Sequence, residues 1–449
     1  MRPRTEGPPH ASRPTPHAPR RILIIARSVV GSRMSAPGIR AYHMAQVLAA
    51  NVAGAQVTLA VPEGSDLANQ DSFRVSAYTR RSLPHLVRKH DLLISLGFPP
   101  TIIPLVFGRG VVVDLFSNFA MEWMEVAKSQ RKRWRRFTWY QAQIRYLNLQ
   151  LTLADFVICN NERQRDTWIG FLTSLGLLSG AVYDRDRSLR RLVATCPHGI
   201  RSDPFPECVP AIEDLVPGLK SGDRVLIWNA GIVDWYDPLT AIEAMARLRA
   251  RRPEVKLLFV GSRYPDPGFV DDSPTFRAAH ALSKQLRLYG DTVFFKYGWV
   301  PYEEVKPLLL GSFAGLSTYF DNAETHSSYR TRFVDLFWAE LPLICTHGDV
   351  LADLVERRPL GIAVPERDPR AVAAAIERLL DDPAFYEGCR ANLRVLKQEM
   401  AWEQTLQPLI DFCRRPESVA RPKPERLLPA LRRAAGYLVW RALSKIPLW

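Results

Sequence analysis

Cysteine is scarce in this chain of 449 residues: Cys159, Cys196, Cys208, Cys345, Cys389 and Cys413 are scattered singly, with no Cys-x-x-Cys and no paired histidine spacing. Neither a disulfide framework nor a zinc site is therefore indicated, and buried reduced thiols are the default. No apolar run approaches the ~20 residues needed to span a bilayer, and the Pro-, His- and Arg-rich N-terminus through Arg20 lacks the apolar core of a signal peptide. The expected location is the cytoplasm. Gly-x-Gly-x-x-Gly is missing from both halves, which leaves a dinucleotide-dependent oxidoreductase unsupported, and no Gly-Lys-Ser/Thr P-loop occurs. Asp184-Arg-Asp186 has the spelling of a metal clamp but falls in a polar connection, so no metal and no cofactor are expected.

What is present describes a globular protein: 47% hydrophobic and 10% aromatic residues, on a chain long enough for two or three domains. Lysine and arginine exceed the acids by 14, which favours anionic partners such as nucleotides, phospholipids or nucleic acid.

Residues 1–19 form a Pro-rich polar tail with too little apolar surface to offset ordering. Arg21-Ile-Leu-Ile-Ile-Ala26 then reads as a parallel strand buried on both faces. A Gly31–Gly38 loop, a helix from Ile39 to Ala50 and a strand from Gln56 to Val61 complete a strand, loop, helix, strand unit. Further strands are expected at 92–96, 111–115, 156–160 and 192–195. The pattern restarts at Arg224–Asn229, with a turn at Ala230-Gly231, a helix from Leu239 to Ala250, and strands at 256–260, 293–295 and 314–317. The fold class is α/β, with two tandem Rossmann-like domains of parallel strands flanked by helices and a ligand cleft between them. The boundaries are an N-terminal domain at 20–208, a linker at 209–222, a C-terminal domain at 223–399, a returning helix at 400–416, and a linker with a basic amphipathic helix at 417–449.

The stretch Glu324-Thr-His-Ser-Ser-Tyr-Arg-Thr-Arg-Phe-Val-Asp335 carries the most information. It reads as a polar loop, a helix starting near Tyr329 and running through Trp338, and, beyond Pro342, a strand at 343–346. Free amides at such a helix start bind phosphate oxygens, and Arg330 and Arg332 add charge. Asp335 lies five residues beyond Arg330, roughly 7.5 Å along the axis. That is about the distance from a diphosphate to its ribose, whose hydroxyls a carboxylate accepts.

This segment resembles the donor-site motif of family 4 retaining glycosyltransferases, written Glu, seven residues, Glu, and then a turn with proline. Aligned on Pro342, Asp335 matches the second glutamate and Ser327 the first, and Arg330-Thr331-Arg332 with Trp338-Ala339 resembles one branch of that family. The Pro197-His-Gly199 segment, the Asn229-Ala-Gly-Ile232 turn and Trp402 extend the resemblance over residues 20–415. It implies the GT-B fold, a last helix crossing back onto the first domain, and sugar transfer with retention of configuration. Ser327 departs from the family's glutamate beside the transferred sugar, and Glu324 is the nearest carboxylate that can replace it. The family's basic residues after the first glycine pair are also missing from Gly231-Ile-Val-Asp-Trp-Tyr-Asp-Pro238. Phosphate contact then falls to Arg330, Arg332 and Arg263, whose guanidinium forks pair with phosphate oxygens.

The resemblance so places Glu324, Ser327, Arg330 and Asp114 at the chemistry, and Gly231, Arg263, Arg330, Thr331, Arg332 and Asp335 around the donor. Gly31, Gly38, Arg40 and Glu122 fall on the acceptor side. Asp114 and Glu122 stand in a segment where many relatives carry a histidine, although Asp114 equally suits a helix cap. His198 and His326 are loop histidines for which a structural role is the default.

Residues 128–140 combine six basic residues with aromatics, and 425–449 mixes leucines and tryptophans with arginines. Both suit an anionic membrane surface, the second as an interfacial helix; a solvated helix face and packing on the protein's own surface are the alternatives. No nucleic-acid module accompanies them. The expected partners are a nucleotide-sugar, a glycan or lipid-linked acceptor and the inner membrane face, in surface polysaccharide or glycolipid assembly. A sugar epimerase or phosphorylase of the same fold, and a catalytically silent homologue, remain as alternatives.

Overall fold

The structure is a computed structural model that describes residues 21–128, 132–261, 273–415 and 424–445. The tail through residue 19, Arg263 and Trp449 lie outside the described residues.

The continuous apolar runs become parallel strands. β1 (Arg21–Ile25) pairs on one side with β2 (Gln56–Pro62) and on the other with β4 (Leu92–Ser95), with Ile22 opposite both Val57 and Leu92. β3 (Arg74–Tyr78) extends one edge, and β5 (Gly110–Asp114), β6 (Phe156–Cys159) and β7 (Val193–Thr195) extend the other. The spatial order is β3-β2-β1-β4-β5-β6-β7. The second sheet repeats this winding as β10-β9-β8-β11-β12-β13. Its strands are β8 (Arg224–Asn229), β9 (Val255–Val260), β10 (Val293–Lys296), β11 (Ala314–Ser317), β12 (Leu343–Thr346) and β13 (Gly361–Val364). Four apolar clusters cover the two faces of the two sheets. In both sheets the winding reverses beside the first strand, and ligands of doubly wound sheets bind in the crevice at that reversal.

Two strands were not expected from the sequence. β3 reads Arg-Val-Ser-Ala-Tyr and is only half-buried, so it lacks the apolar run of an inner strand. β13 is four residues long and opens on Gly361, where an added Cβ would lie 2.0 Å from the Leu343 carbonyl oxygen.

The halves meet closely. The Ile200 amide donates to the Met400 carbonyl at 2.7 Å, and Gly199 lies so near Trp402 that a Cβ would fall 2.6 Å from its Cα. Trp402 opens a short helix, and with the helix Gln407–Arg414 it buries Leu406, Leu409, Ile410 and Phe412 in the first domain's core. The C-terminal helix Pro424–Leu443 packs on the helix Arg133–Leu153, also in the first domain.

Among the described residues no helix is long and apolar enough to cross a membrane. Nor is there, among them, a group of three His, Cys, Asp or Glu placed to hold a metal ion.

Candidate functional site

At the reversal in the second sheet, β8 ends on Asn229, whose buried amide donates from Nδ2 to Asp335 Oδ2 at 3.1 Å. Arg332 Nη1 reaches the same oxygen at 3.2 Å, and Arg332 Cζ lies 5.6 Å from the centre of the Trp299 ring. The Asn229 bond crosses from the end of β8 to the helix Arg332–Trp338, whereas Arg332 and Asp335 pair within that helix, so two sequence-separated segments meet at one carboxylate. Gly231, Arg332, Trp299 and Val300 line a narrow opening of about 20 Å³ that Met34 of the first domain closes from the other side. Met34 and Tyr302 also wall a larger cavity of about 540 Å³ between the domains, which Gly31 borders. The smaller opening holds about one water, far below the several hundred Å³ of a ligand pocket, so binding a nucleotide there requires this wall to move.

The start of the motif helix differs from expectation. It begins at Arg332, not near Tyr329, and the stretch before it forms a separate short helix, Ala323–Ser327, capped by Asn322. Thr331 stands at its N-cap without a side-chain cap. The Phe333 amide donates to the Arg330 carbonyl and that of Val334 to the Thr331 carbonyl, so these two amides are already used. Tyr329 is buried and its hydroxyl donates to the His198 carbonyl across the domain boundary.

Arg330 is likewise not an exposed phosphate ligand. It is buried, with Nε 3.0 Å from Asp349 Oδ2, Nη2 3.5 Å from Glu324 Oε2, and its Cζ stacked 3.9 Å from the Tyr319 ring and 5.0 Å from that of Tyr236. Asp349 is fully buried at the start of the helix Val350–Arg357, where it accepts from the Ala352 amide at 2.6 Å. Burial pushes its carboxyl upward and Arg330 opposes that. Arg330 is thus a strut joining Asp349 to Glu324. Glu324 is buried too: Ser328 donates to one carboxylate oxygen, and the other faces Arg330 without a hydrogen bond.

In the first domain, Arg40 and Asp114 prove to be each other's partners. Arg40 is buried and holds Asp114 through two hydrogen bonds of 2.7 and 2.9 Å, with further bonds to Asn160 Oδ1 and the Cys196 carbonyl. A fully paired buried cluster of this kind fixes the ends of β5, β6 and β7, and neither residue is open to an acceptor. Gly38 is also structural: a Cβ there would meet the Val29 carbonyl oxygen at 2.4 Å. Gly31, at φ 132°, allows the close turn against Asp66, which accepts from the Ser32 amide at 2.8 Å.

Glu122 stands on the helix Phe119–Ala127, half-buried, and accepts from Ser117 Oγ at 2.6 Å. Burial raises its carboxyl to about 6; the Ser117 hydrogen bond lowers it, and Glu324 across the boundary adds to the rise. The same helix packs against Ala323–Ser327, where Asn118 Nδ2 donates to Ser327 Oγ at 2.8 Å. Asn161 and Gln164 donate to the Ser327 carbonyl, and Arg163 donates to the carbonyls of His326 and Gly348. Glu122, Glu324 and Ser327 are therefore brought together at the domain boundary. His326 presents an exposed side chain. His198 is buried against Trp402 and held well below its usual range by burial, which keeps it neutral.

Sequence reasoning missed Asn229, Trp299, Asp349 and the interdomain donors Asn118, Asn161 and Gln164. Only Asn229 carried a signal, as a polar residue closing an apolar strand before Ala-Gly.

Residues 225–382 match the family model described as Glycosyl transferases group 1. No curated protein matches the sequence. Among solved structures the chain resembles WaaG, a glycosyltransferase involved in lipopolysaccharide biosynthesis, at TM-score 0.59 and 15% identity, covering 87% of this chain and 99% of that one. HepE of Anabaena, solved in complex with UDP-glucose, aligns at TM-score 0.59 and 13% identity over 87% and 98% of the two chains. A glycosyltransferase from Rickettsia africae aligns at 0.57 and 12% over 88% and 97%. The protein therefore has the GT-B fold of two Rossmann-like domains, and its second domain carries the glycosyl transferases group 1 match.

Proposed function

We propose that this protein transfers a sugar from a nucleotide-sugar donor to a glycan or lipid-linked acceptor, with retention of configuration, in surface polysaccharide or glycolipid assembly. The observation that carries the proposal is the Asp335 carboxylate, held by Asn229 and Arg332 at the strand reversal of the domain that matches the family. A ribose donating from two hydroxyls takes the place of those neighbours as donors to the carboxylate. Arg332 then turns to the diphosphate, beside the backbone at Gly231. The segment Trp299–Val300 forms the wall next to the base. HepE was solved with UDP-glucose and WaaG is involved in lipopolysaccharide biosynthesis, which supports a donor and a pathway of these kinds.

The chemical work is to stabilise a departing nucleoside diphosphate and an oxocarbenium-like sugar. Arg332 supplies positive potential where negative charge develops. Glu324, with one carboxylate oxygen free of hydrogen bonds, and Glu122 lie on the sugar side, where they stabilise the developing cation and accept the proton of the incoming hydroxyl.

Turnover tests this reading. The protein is incubated with a panel of sugar nucleotides and lipid-linked or oligosaccharide acceptors, and products are followed by mass spectrometry and by proton couplings of the anomeric centre. Transfer with the donor's configuration supports the proposal. Epimerised donor without transfer, or binding without any product, contradicts it.

A further inference from the structure

The C-terminal helix Pro424–Leu443 is apolar on two sides. Its inner side is committed to the protein: Ala430, Ala434 and Tyr437 are buried on the helix Arg133–Leu153, Arg433 Nη1 donates to Thr152 Oγ1 at 2.8 Å, and Arg426 Nη1 donates to the Ala154 carbonyl at 2.8 Å. Trp440 fixes the rotation of the helix, with Arg145 Cζ 4.4 Å from its ring and Phe137 packed edge-on at 5.7 Å. Half of what the sequence offers as an amphipathic face is thereby spent on packing.

The outer side is what remains. Leu427, Leu428, Leu431, Leu438 and Val439 are all exposed, with Leu428 at 56% and Val439 at 57%. Their spacing places them on one face of a 3.6-residue helix, over roughly 18 Å at about 1.5 Å per residue. Phe137, 50% exposed on the neighbouring helix, widens the strip. Single exposed leucines need no explanation, but a contiguous strip on a helix already packed by its other side does.

The rim decides what covers it. Arg432, Arg441 and Lys445 border the strip on its own helix, and Lys132, Arg133 and Arg136 border it on the neighbour, all exposed. Residues 426–445 and 132–153 contain no aspartate or glutamate. A second copy of this face would bring the two basic rims together, whereas an anionic lipid surface complements both the apolar strip and its border.

We propose that this two-helix face docks on an anionic bilayer, with the C-terminal helix lying in the plane of the interface. The helix Phe119–Ala127 touches both Arg133–Leu153 and Ala323–Ser327, so the docking face stands one helix away from Glu122 and Glu324. A membrane-borne acceptor is thus delivered to the acceptor side of the cleft. The docking face is independent of the donor reading, since none of its residues borders the Asp335 crevice.

Flotation with vesicles tests it, using the full-length protein against phosphatidylglycerol–phosphatidylcholine mixtures and against phosphatidylcholine alone. The wild type is expected to float with the anionic vesicles, less at high salt, and little with the neutral ones. Leu428→Asp/Val439→Asp is expected to lower partitioning by at least about tenfold. Its melting temperature and nucleotide affinity should stay unchanged. Arg432→Glu/Lys445→Glu should give a loss confined to anionic vesicles. Equal flotation of variants and wild type, no flotation of the wild type, or a wild-type dimer that Leu428→Asp/Val439→Asp splits into monomers would each overturn the proposal.

Discussion

Removing the Arg330 guanidinium distinguishes a structural strut from a phosphate ligand. In Arg330→Ala, Asp349 keeps the Ala352 amide but loses the guanidinium that lies 3.0 Å away, inside a region where it has no solvent exposure. Glu324 loses the same partner, and Tyr319 and Tyr236 lose a stacked cation. Breaking a buried pair by deleting one member costs about 3–5 kcal/mol. For a unit the size of the second domain that corresponds to a fall in Tm of roughly 6–20 °C. The deficit should depend on pH with a defined sign. Burial already raises the Asp349 carboxyl, and without Arg330 the rise is larger. A carboxyl whose folded pKa exceeds its unfolded value costs nothing below the unfolded value, about 3.9 for Asp. The cost then grows by at most ~1.4 kcal/mol per pH unit up to the folded pKa. The Tm gap to wild type should therefore be wider at pH 8 than at pH 5, and Arg330→Lys should close part of it. The assay is thermal unfolding across that pH range. An Arg330→Ala protein that melts with wild type at every pH, yet binds nucleotide more weakly, would refute the strut and restore the phosphate contact.

Two further outcomes follow from the domain boundary. Because Glu122 is raised to about 6, mainly by burial, it gains its proton as pH falls through that value, so kcat/KM should decline below about pH 6. Glu122→Gln should remove that limb of the pH profile, and an unchanged profile would take Glu122 out of the reaction. Asn161→Ala deletes a hydrogen bond of 3.1 Å from the first domain to the Ser327 carbonyl. It should raise KM for the donor several-fold, about 1 kcal/mol, by loosening the hold on the helix Ala323–Ser327, and lower the first domain's melting temperature, because Asn161 Oδ1 also caps the helix Glu162–Ser174 at the Gln164 amide. A lowered kcat at constant KM would contradict that assignment.

The sheets were legible because their inner strands are unbroken apolar runs that only two-sided burial explains, as in Ile22–Ile25 and Leu226–Trp228. Two edge strands were less so: Arg74–Tyr78 has one half-exposed face, and Gly361–Val364 opens on glycine with its middle residues only partly buried. Around the motif, Gly231, Arg332 and Asp335 were singled out from spacing and resemblance; the fold brings Gly231 and Arg332 to one opening and hydrogen-bonds Asp335 to two residues of its lining, Asn229 and Arg332. What failed were pairings between distant residues. Arg40 and Asp114 lie 74 positions apart, and each looked like a free charged group until the fold joined them. The segment from Glu324 to the expected helix start near Tyr329 read as a polar loop, whereas Asp349, Asn118 and Asn161 supply the partners that allow it and Arg330 to be buried. The C-terminal helix showed its composition but not which side the first domain would occupy.

The central claim is that Asp335 grips the ribose of a nucleotide. Titration calorimetry of UDP, GDP and ADP against wild type and Asp335→Ala tests it most directly. A hydrogen bond to a charged group contributes ~1.5–3 kcal/mol. The preferred nucleotide should accordingly bind the variant roughly 10- to 150-fold more weakly. Equal affinity in the two proteins, with both folded, would contradict the account.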